Sequence, residues 1–237
     1  MSRLGVVAVG DSITRGHGEP ARGVHAQSWA QWLAEALELP FTNLAADGAR
    51  APDVVRDQLP RLRASYDVGC VFVGVNDCRG LDWDPAAFAR GLEAIVEVVG
   101  SHASRVVLCT VPVDLGRPRA APKPLEANGI IRRIGGKAGA VVVSLDDLTG
   151  HPLVLPDAVH PSALGQVEIA GRAASALATA GLSAGHDPWA LATPVTSRRA
   201  HLAYARRWSS LLARDLVRRT RERLHRPSGT PPGSDPL

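Results

Sequence analysis

Apolar runs alternate with amphipathic stretches over about 180 residues of this chain. The apolar runs predict five β-strands, at Leu4–Val9, Phe41–Ala45, Val68–Val73, Arg105–Val111 and Ala140–Leu145. Apolar positions at helical spacing predict helices between and after them, at Ser28–Leu39, Asp53–Ala64, Pro85–Gly100, Pro124–Ala138 and Ser162–Gly181. This alternation is typical of βαβ units, in which a parallel sheet carries helices on both faces.

The ends of the predicted strands indicate where the chemistry lies. The unbroken apolar run Cys70–Val73 favours a strand that is covered on both faces. Turn residues follow nearly every strand, namely Gly10, Gly48, Gly74 and Pro112. In open parallel sheets ligands bind at the carboxyl ends of the strands, so reactive side chains are expected along this edge. We predict a flavodoxin-like three-layer α/β/α sandwich with a five-stranded parallel sheet, formed by residues 1–185.

The charge pattern changes after about residue 185. Between Arg198 and Arg226 ten arginines stand against Asp215 and Glu222, a net charge of +8. The whole chain carries +4, so the remainder carries −4. Apolar residues recur three and four positions apart, at Leu202, Ala205, Trp208, Leu212 and Leu216. Residues 186–226 are therefore predicted to form a basic amphipathic helical extension, and the Pro-, Gly- and Ser-rich residues 227–237 a disordered tail.

Three interpretations of the basic helix at 198–226 stay open. It docks on the folded domain with solvated arginines, which is the usual outcome for such a run. Alternatively it makes weak contact with an anionic membrane or nucleic acid, nucleic acid being the less expected. In the third interpretation it binds a partner protein or covers the functional site. The oligomeric state is left open.

Composition narrows the class of protein. A chain of 237 residues with 45% hydrophobic content can bury one sizeable core. No apolar run approaches the ~18 residues of a membrane span, and Met1-Ser2-Arg3 leads directly into a strand without a signal peptide pattern. The three cysteines, at 70, 78 and 109, lack metal-type spacing, and Cys70 and Cys109, which lie in apolar strand-like runs, are expected as buried free thiols. We therefore expect a cytoplasmic protein without a metal or organic cofactor.

Two short strings carry the candidate chemistry. Gly10-Asp11-Ser12 follows the first predicted strand, and Asp157 and His160 lie three residues apart before the last predicted helix. A serine hydroxyl is a weak nucleophile until a base takes its proton and a third group orients that base. Ser12, His160 and Asp157 supply these three roles. They predict serine-dependent hydrolysis of a carboxylic ester through an acyl-Ser12 intermediate.

Four blocks of the sequence together resemble the SGNH hydrolases, also called the GDSL esterase/lipase family. In chain order these are Gly10-Asp11-Ser12, Asn43-Leu44-Ala45-Ala46-Asp47-Gly48-Ala49, Gly74-Val75-Asn76-Asp77 and Asp157-Ala158-Val159-His160-Pro161. The resemblance covers about residues 4–182. Each block alone is a weak signal, but four in order, each after a predicted strand, are strong together.

The resemblance implies an oxyanion hole as well as a catalytic triad. Its donors are the backbone N–H groups of Ser12 and Gly48 and the side-chain amide of Asn76. Attack on an ester carbonyl places negative charge on its oxygen, and the loss of one such donor costs on the order of 3 kcal/mol. The implied substrate is a small-molecule ester.

Other functions remain open. Acyl transfer differs only in the alcohol that replaces water at the acyl-enzyme. A metal-dependent phosphoesterase would use Asp11, Asn76, Asp157 and His160, with His151 nearby, but the chain lacks the dense His/Asp spacing of such sites. A non-catalytic protein would bind through the arginine-rich helix.

Several polar residues near the motifs are expected to be structural. Asp11 is expected to make a local hydrogen bond, Asp77 to belong to a turn, and His17 to lie on the surface. Asp47 and Arg50 depart from the family pattern. They either line the site, which favours a polar substrate, or pair with each other at the surface.

Overall fold

The protein is described by a computed structural model that covers residues 4–115 and 122–224. Five strands form one sheet, and they run over β1 Val6–Gly10, β2 Phe41–Asn43, β3 Tyr66–Phe72, β4 Ala103–Cys109 and β5 Val141–Val143. All pairs are parallel, and the strand order is β2-β1-β3-β4-β5. The predicted five-stranded parallel sheet is confirmed.

Helices connect the strands. They run over α1 Ser12–Arg15, α2 Trp29–Ala36, α3 Ala51–Asp53, α4 Val75–Arg79, α5 Pro85–His102, α6 Lys123–Ala138, α7 Ala163–Thr179, α8 Pro188–Ala192 and α9 Arg198–Leu224. Helices α2 and α7 cover one face of the sheet, with α8 packed against both of them, and α5 and α6 cover the other, with α3 packed against α5. The predicted three-layer α/β/α sandwich is confirmed. Every residue of β1, between the two layers, is buried.

The main helices begin where a side chain satisfies their first free backbone N–H groups. Ser28 accepts from Ala30 at the start of α2, and Ser162 accepts from Gly165 at the start of α7. The Asp84 carboxylate accepts two backbone N–H groups at the start of α5, with Pro85 at its first position. Serine and aspartate at these positions are the residues expected from capping.

The helix expected at Asp53–Ala64 is divided. Helix α3 is followed by a π-helical turn over Val54–Gln58 and a 3₁₀ turn over Leu59–Arg61. Pro60 explains the division, because it has no N–H for a helical hydrogen bond and its ring collides with the carbonyl four residues earlier. Gln58 ends the π turn with its side chain in the interior.

Strand β2 is shorter than the sequence predicts. Its last residue is Asn43, whose side chain accepts the Ala45 N–H at 3.1 Å and donates to the Thr14 carbonyl at 3.1 Å. These bonds turn the chain out of the sheet. Strand β5 also ends early, since the Leu145 N–H donates to the Thr110 hydroxyl at 2.8 Å.

Helix α9 lies against the folded domain. Tyr204 donates its hydroxyl to the Pro152 carbonyl at 3.0 Å, and the His151 ring packs against Tyr204 and Trp208, with ring centroids 5.2 and 5.4 Å away. Arg207 pairs with Glu19. Within residues 4–115 and 122–224, each helix is too short or too polar to cross a bilayer.

The inward face of α9 differs from the stripe that the sequence predicts. Trp208 does face the domain, but Leu202, Ala205 and Leu216 are exposed. The docked face is centred on Tyr204 and Trp208 because their polar tips reach backbone carbonyls of the domain. The tail expected at 227–237 lies outside the described residues. Cys70 and Cys109 are buried free thiols as predicted, Cys78 is a third one, and burial raises the pKa values of all three.

Candidate active site

Ser12 lies where the sequence places it, one residue after the turn that ends β1. Ser12 is the first residue of helix α1, which begins at the carboxyl edge of the sheet. Gly10 has φ +148°, and a Cβ at this position would collide with the Phe72 carbonyl oxygen of β3. The chain can therefore turn from β1 to Ser12 only with glycine at position 10.

Three side chains far apart in sequence form one hydrogen-bonded line. The Ser12 hydroxyl Oγ lies 2.9 Å from His160 Nε2, and His160 Nδ1 lies 2.7 Å from Asp157 Oδ2. An ionised carboxylate only accepts, so Nδ1 carries the proton and Nε2 is free to accept from Ser12. The arrangement lets His160 act as a base towards the hydroxyl.

The turn from Asp157 to His160 holds the Asp157 carboxylate in position. Asp157 Oδ1 accepts the backbone N–H groups of Val159 and His160 at 2.9 and 3.0 Å. Ala158 takes the left-handed conformation at φ +59°, which closes the turn. Burial alone raises the pKa of Asp157, but the hydrogen bond and charge of His160 and the two backbone donors outweigh it and lower that pKa to about 2. Asp157 is thus a carboxylate at neutral pH.

The candidate oxyanion donors belong to three segments that follow β1, β2 and β3 at the carboxyl edge of the sheet. Ser12 is the first residue of α1, so its N–H is one of those that a helix leaves without an internal partner. Gly48 lies in an exposed loop at φ +70° with open space where a Cβ would stand. Asn76 on α4 donates one amide hydrogen to the Ala49 carbonyl at 3.1 Å, which leaves its second hydrogen for another acceptor.

Two buried glutamines that the sequence analysis missed hold the backbone around Ser12. Gln58 accepts the Gly10 N–H and donates to the Gly10 carbonyl, both at 2.8 Å. Gln166 accepts the Trp29 N–H at 2.9 Å and donates to the carbonyls of Ile13 and His17 at 3.0 and 3.1 Å. The sequence does contain a signal for them, because a glutamine at an apolar position of a helical pattern is buried and needs hydrogen-bond partners there.

Replacing Gln58 by methionine is expected to lower both stability and activity. The Gly10 N–H would lose its acceptor in a dry interior, which costs about 1–3 kcal/mol of unfolding free energy. Because Gly10 leads directly to Ser12, kcat/KM should fall as well. Urea denaturation and ester turnover measure the two effects. Gln31→Met, on the solvent side of α2, is the matched control, with an expected change within about 0.5 kcal/mol. Equal effects of the two substitutions would contradict the role of Gln58.

Two buried carboxyl groups lie beside the line without belonging to it. Asp11 Oδ1 accepts the Ile13 N–H at 2.9 Å and so caps α1, while Asp77 Oδ1 accepts the Ala51 N–H at 3.1 Å. The second oxygen of each group has no hydrogen-bond partner within the described part of the chain. Burial raises the pKa of Asp11 to about 7 and that of Asp77 to about 6. Asp11 makes the local hydrogen bond that the sequence predicts.

The raised pKa of Asp11 predicts a pH-dependent stability. The fold favours the protonated form, so this contribution is complete below the ordinary pKa of 3.8 and is lost as the pH rises through about 7. Relative to Asp11→Asn, which keeps the capping oxygen and cannot ionise, the wild type should lose up to about 4 kcal/mol between pH 4 and 7. Urea denaturation across this range measures the difference. Parallel curves would contradict the prediction, and the exposed Glu97→Gln controls for the lost charge.

The residues named for a phosphoesterase do not form one cluster. Asp11 is directed to its own helix, and His151 packs against Tyr204 and Trp208 of α9. Among the residues that the structure describes, no group of three His, Cys, Asp or Glu side chains is placed to hold a metal ion. The phosphoesterase interpretation has no support from this arrangement.

Charged residues form a rim next to the line. Asp47 pairs with Arg15 at 3.1 Å and with His17 at 3.3 Å, and the His17 ring lies 6.0 Å from the His160 ring. Arg50 pairs with Asp82 at 2.8 Å, so the alternative that Asp47 and Arg50 pair with each other is wrong. Each is closer to another partner.

Comparisons with known proteins identify the family and the fold of the chain. Residues 8–167 match the sequence profile of the GDSL-like Lipase/Acylhydrolase family. The fold is similar to Axe2, an acetylxylan esterase from Geobacillus stearothermophilus, at 16% identity and TM-score 0.57, over 74% of this chain and 96% of that one. It is also similar to LAE5, an alpha/beta hydrolase from the metagenome of Lake Arreo, Spain, at 20% identity and TM-score 0.58, over 73% and 94%. A search of curated proteins finds no match.

Proposed function

Because this chain belongs to the GDSL-like lipase/acylhydrolase family and is a serine ester hydrolase, we propose that it cleaves a small-molecule carboxylic ester through an acyl-Ser12 intermediate. The observation that carries the proposal is the unbroken line from Ser12 Oγ through His160 to Asp157, with bonds of 2.9 and 2.7 Å. We assign the reaction to residues 1–185 and treat 186–226 as an extension.

Acylation begins at Ser12. His160 Nε2 accepts the hydroxyl proton as Oγ forms a bond to the ester carbonyl carbon. Asp157 keeps the Nδ1–H tautomer in place and stabilises the imidazolium that forms. The imidazolium then returns the proton to the leaving alcohol as the C–O bond breaks, which leaves an ester between the acyl group and Ser12.

The oxyanion of the tetrahedral intermediate takes three donors in this proposal. They are the backbone N–H groups of Ser12 and Gly48 and the free amide hydrogen of Asn76. The bond from Asn76 to the Ala49 carbonyl joins α4 to the Gly48 loop, so two of the donors are held relative to each other. Donors fixed before the reaction need no reorganisation as charge develops, and one is worth about 3–4 kcal/mol.

Deacylation repeats the same steps with water. His160 takes a proton from water, which attacks the acyl carbon, and Ser12 leaves with the proton that His160 returns. An acceptor alcohol in place of water makes the reaction an acyl transfer. The two outcomes use the same residues, so a product analysis separates them.

We infer a short acyl group on a polar alcohol as the substrate. The rim of Arg15, His17 and Asp47 offers charge and hydrogen bonds next to Ser12, which suits polar groups better than a long aliphatic chain. The likeness to an acetylxylan esterase is consistent with an acetyl group.

Hydrolysis of p-nitrophenyl acetate, butyrate and octanoate tests the proposed function. We expect kcat/KM to be highest for the acetate and turnover to survive a metal chelator, because the proposed steps use only groups of the protein and water. Turnover that is lost with chelator and restored by a divalent metal would contradict the serine mechanism. A preference for octanoate would contradict the substrate class alone.

A further inference from the structure

Helix α9 exposes a surface that combines positive charge with aliphatic side chains. Arg198, Arg199, Arg206 and Arg214 are exposed, and within the described residues none of them is paired with a carboxylate. The same helix exposes 61% of Leu202, 55% of Leu216 and 51% of Val217. We call these seven residues the basic face.

The opposite side of α9 is anchored, so the basic face has a defined orientation. Tyr204 and Trp208 contact the domain at His151, Pro152 and Val154. Val154 in turn pairs with Pro161, directly after the catalytic His160. Arg207 pairs with Glu19, whose carbonyl accepts the Ala163 N–H at the start of α7. The helix therefore lies beside the turn that carries His160.

The net charge is also divided between the basic helix and the rest of the chain. Residues 198–226 carry +8 and the remainder carries −4. A negatively charged surface attracts the helix and repels the rest of the protein, which orients the whole molecule. Basic residues near an anionic bilayer contribute on the order of 1 kcal/mol each, and aliphatic side chains add to this when they enter the headgroup region.

We propose that the basic face binds the surface of an anionic lipid bilayer, with the folded domain on the side of α9 that faces away from the bilayer. A bilayer fits this face better than a nucleic acid does. The exposed side chains of Leu202, Leu216 and Val217 would be buried at a lipid interface, which is favourable, whereas a phosphate backbone offers no apolar surface to bury them. The aromatic residues of α9 that would stack on bases, Tyr204 and Trp208, are turned towards the domain. The inference rests on the helix and does not depend on the chemistry of Ser12.

Co-flotation of the full chain with vesicles tests the proposal. One set of vesicles contains phosphatidylcholine alone, and the other an equimolar mixture with phosphatidylglycerol. We expect binding to the mixed vesicles only, with an affinity that falls as salt rises. The Ser12→Ala chain should bind as the wild type does, so this result is independent of ester hydrolysis.

Two matched variants locate the surface. Replacing Arg198, Arg199, Arg206 and Arg214 with glutamine should weaken partitioning by a factor on the order of several hundred. Replacing the exposed Arg61, Arg63, Arg90 and Arg105 with glutamine removes the same charge from the domain and should leave most of the binding in place. Unchanged circular dichroism and ester turnover show that both variants are folded.

Three results would overturn the proposal. The first is a wild-type chain that does not float with the mixed vesicles. The second is an equal loss of binding in the two variants, which would reduce the effect to net charge. The third is tighter binding of duplex DNA than of the mixed vesicles at the same salt, which would assign the basic face to a nucleic acid.

Discussion

Replacing Ser12 with alanine is expected to lower kcat/KM for p-nitrophenyl acetate by a factor on the order of 10⁴–10⁶. Alanine removes the only atom that forms a bond to the acyl group in the proposed mechanism. The fold should be unaffected, because the Ser12 side chain bonds to His160 and not to the core. Steady-state kinetics and urea denaturation of the same preparation measure the two expectations.

His160→Ala in the same assay shows whether Ser12 and His160 act together or contribute independently to catalysis. If Ser12 and His160 act as one unit, either substitution alone should cost about as much as both together. A double variant that loses the product of the two single losses would contradict the mechanism. Ser101→Ala is the control, because Ser101 is exposed and its loss should leave turnover unchanged. Thr14→Ala is unsuitable, because the Thr14 hydroxyl accepts the Trp29 indole N–H in the interior.

Asp157→Asn is expected to lower kcat by a factor on the order of 10⁴. Asparagine keeps an oxygen for the N–H groups of Val159 and His160, so the turn can form. The asparagine NH2 group then faces Nδ1, where it donates and cannot accept from Nδ1–H, so it favours the tautomer in which Nε2 carries the proton. That tautomer cannot take the proton of Ser12.

The pH dependence of the Asp157 variant gives a second measurement. Because the pKa of Asp157 is held at about 2, the wild-type carboxylate remains ionised through the whole range in which His160 acts as a base. The variant should regain activity at high pH, where hydroxide replaces the general base. A loss of less than tenfold at neutral pH would show that Asp157 does not orient His160.

The parts of the fold that the sequence predicts are those with a repeated local signal. Five apolar runs and the helices between them identify a parallel sheet, and the observed strand order places Gly10, Gly48 and Gly74 along one edge. The position of Ser12 after β1 follows from that edge rule. Ser162, which caps α7, similarly places His160 just before a helix.

The parts that the sequence did not predict depend on contacts between distant residues. Nothing local to Gln58 shows that its amide meets Gly10, 48 positions away. The partner of Asp47 could not be chosen from charge alone, since Arg15, His17 and Arg50 all follow closely after the first two family blocks. The docked face of α9 likewise depends on carbonyls at 152 and 154, which no periodicity in the helix encodes.

The most direct test of an acyl-Ser12 intermediate is mass spectrometry of the protein quenched with acid during turnover of p-nitrophenyl acetate. The wild type should carry the added mass of one acetyl group on the peptide that contains Ser12, and the Ser12→Ala chain should carry none. An acetyl group on another residue at the same rate, or full turnover with no labelled peptide, would contradict the assignment of Ser12 as the nucleophile.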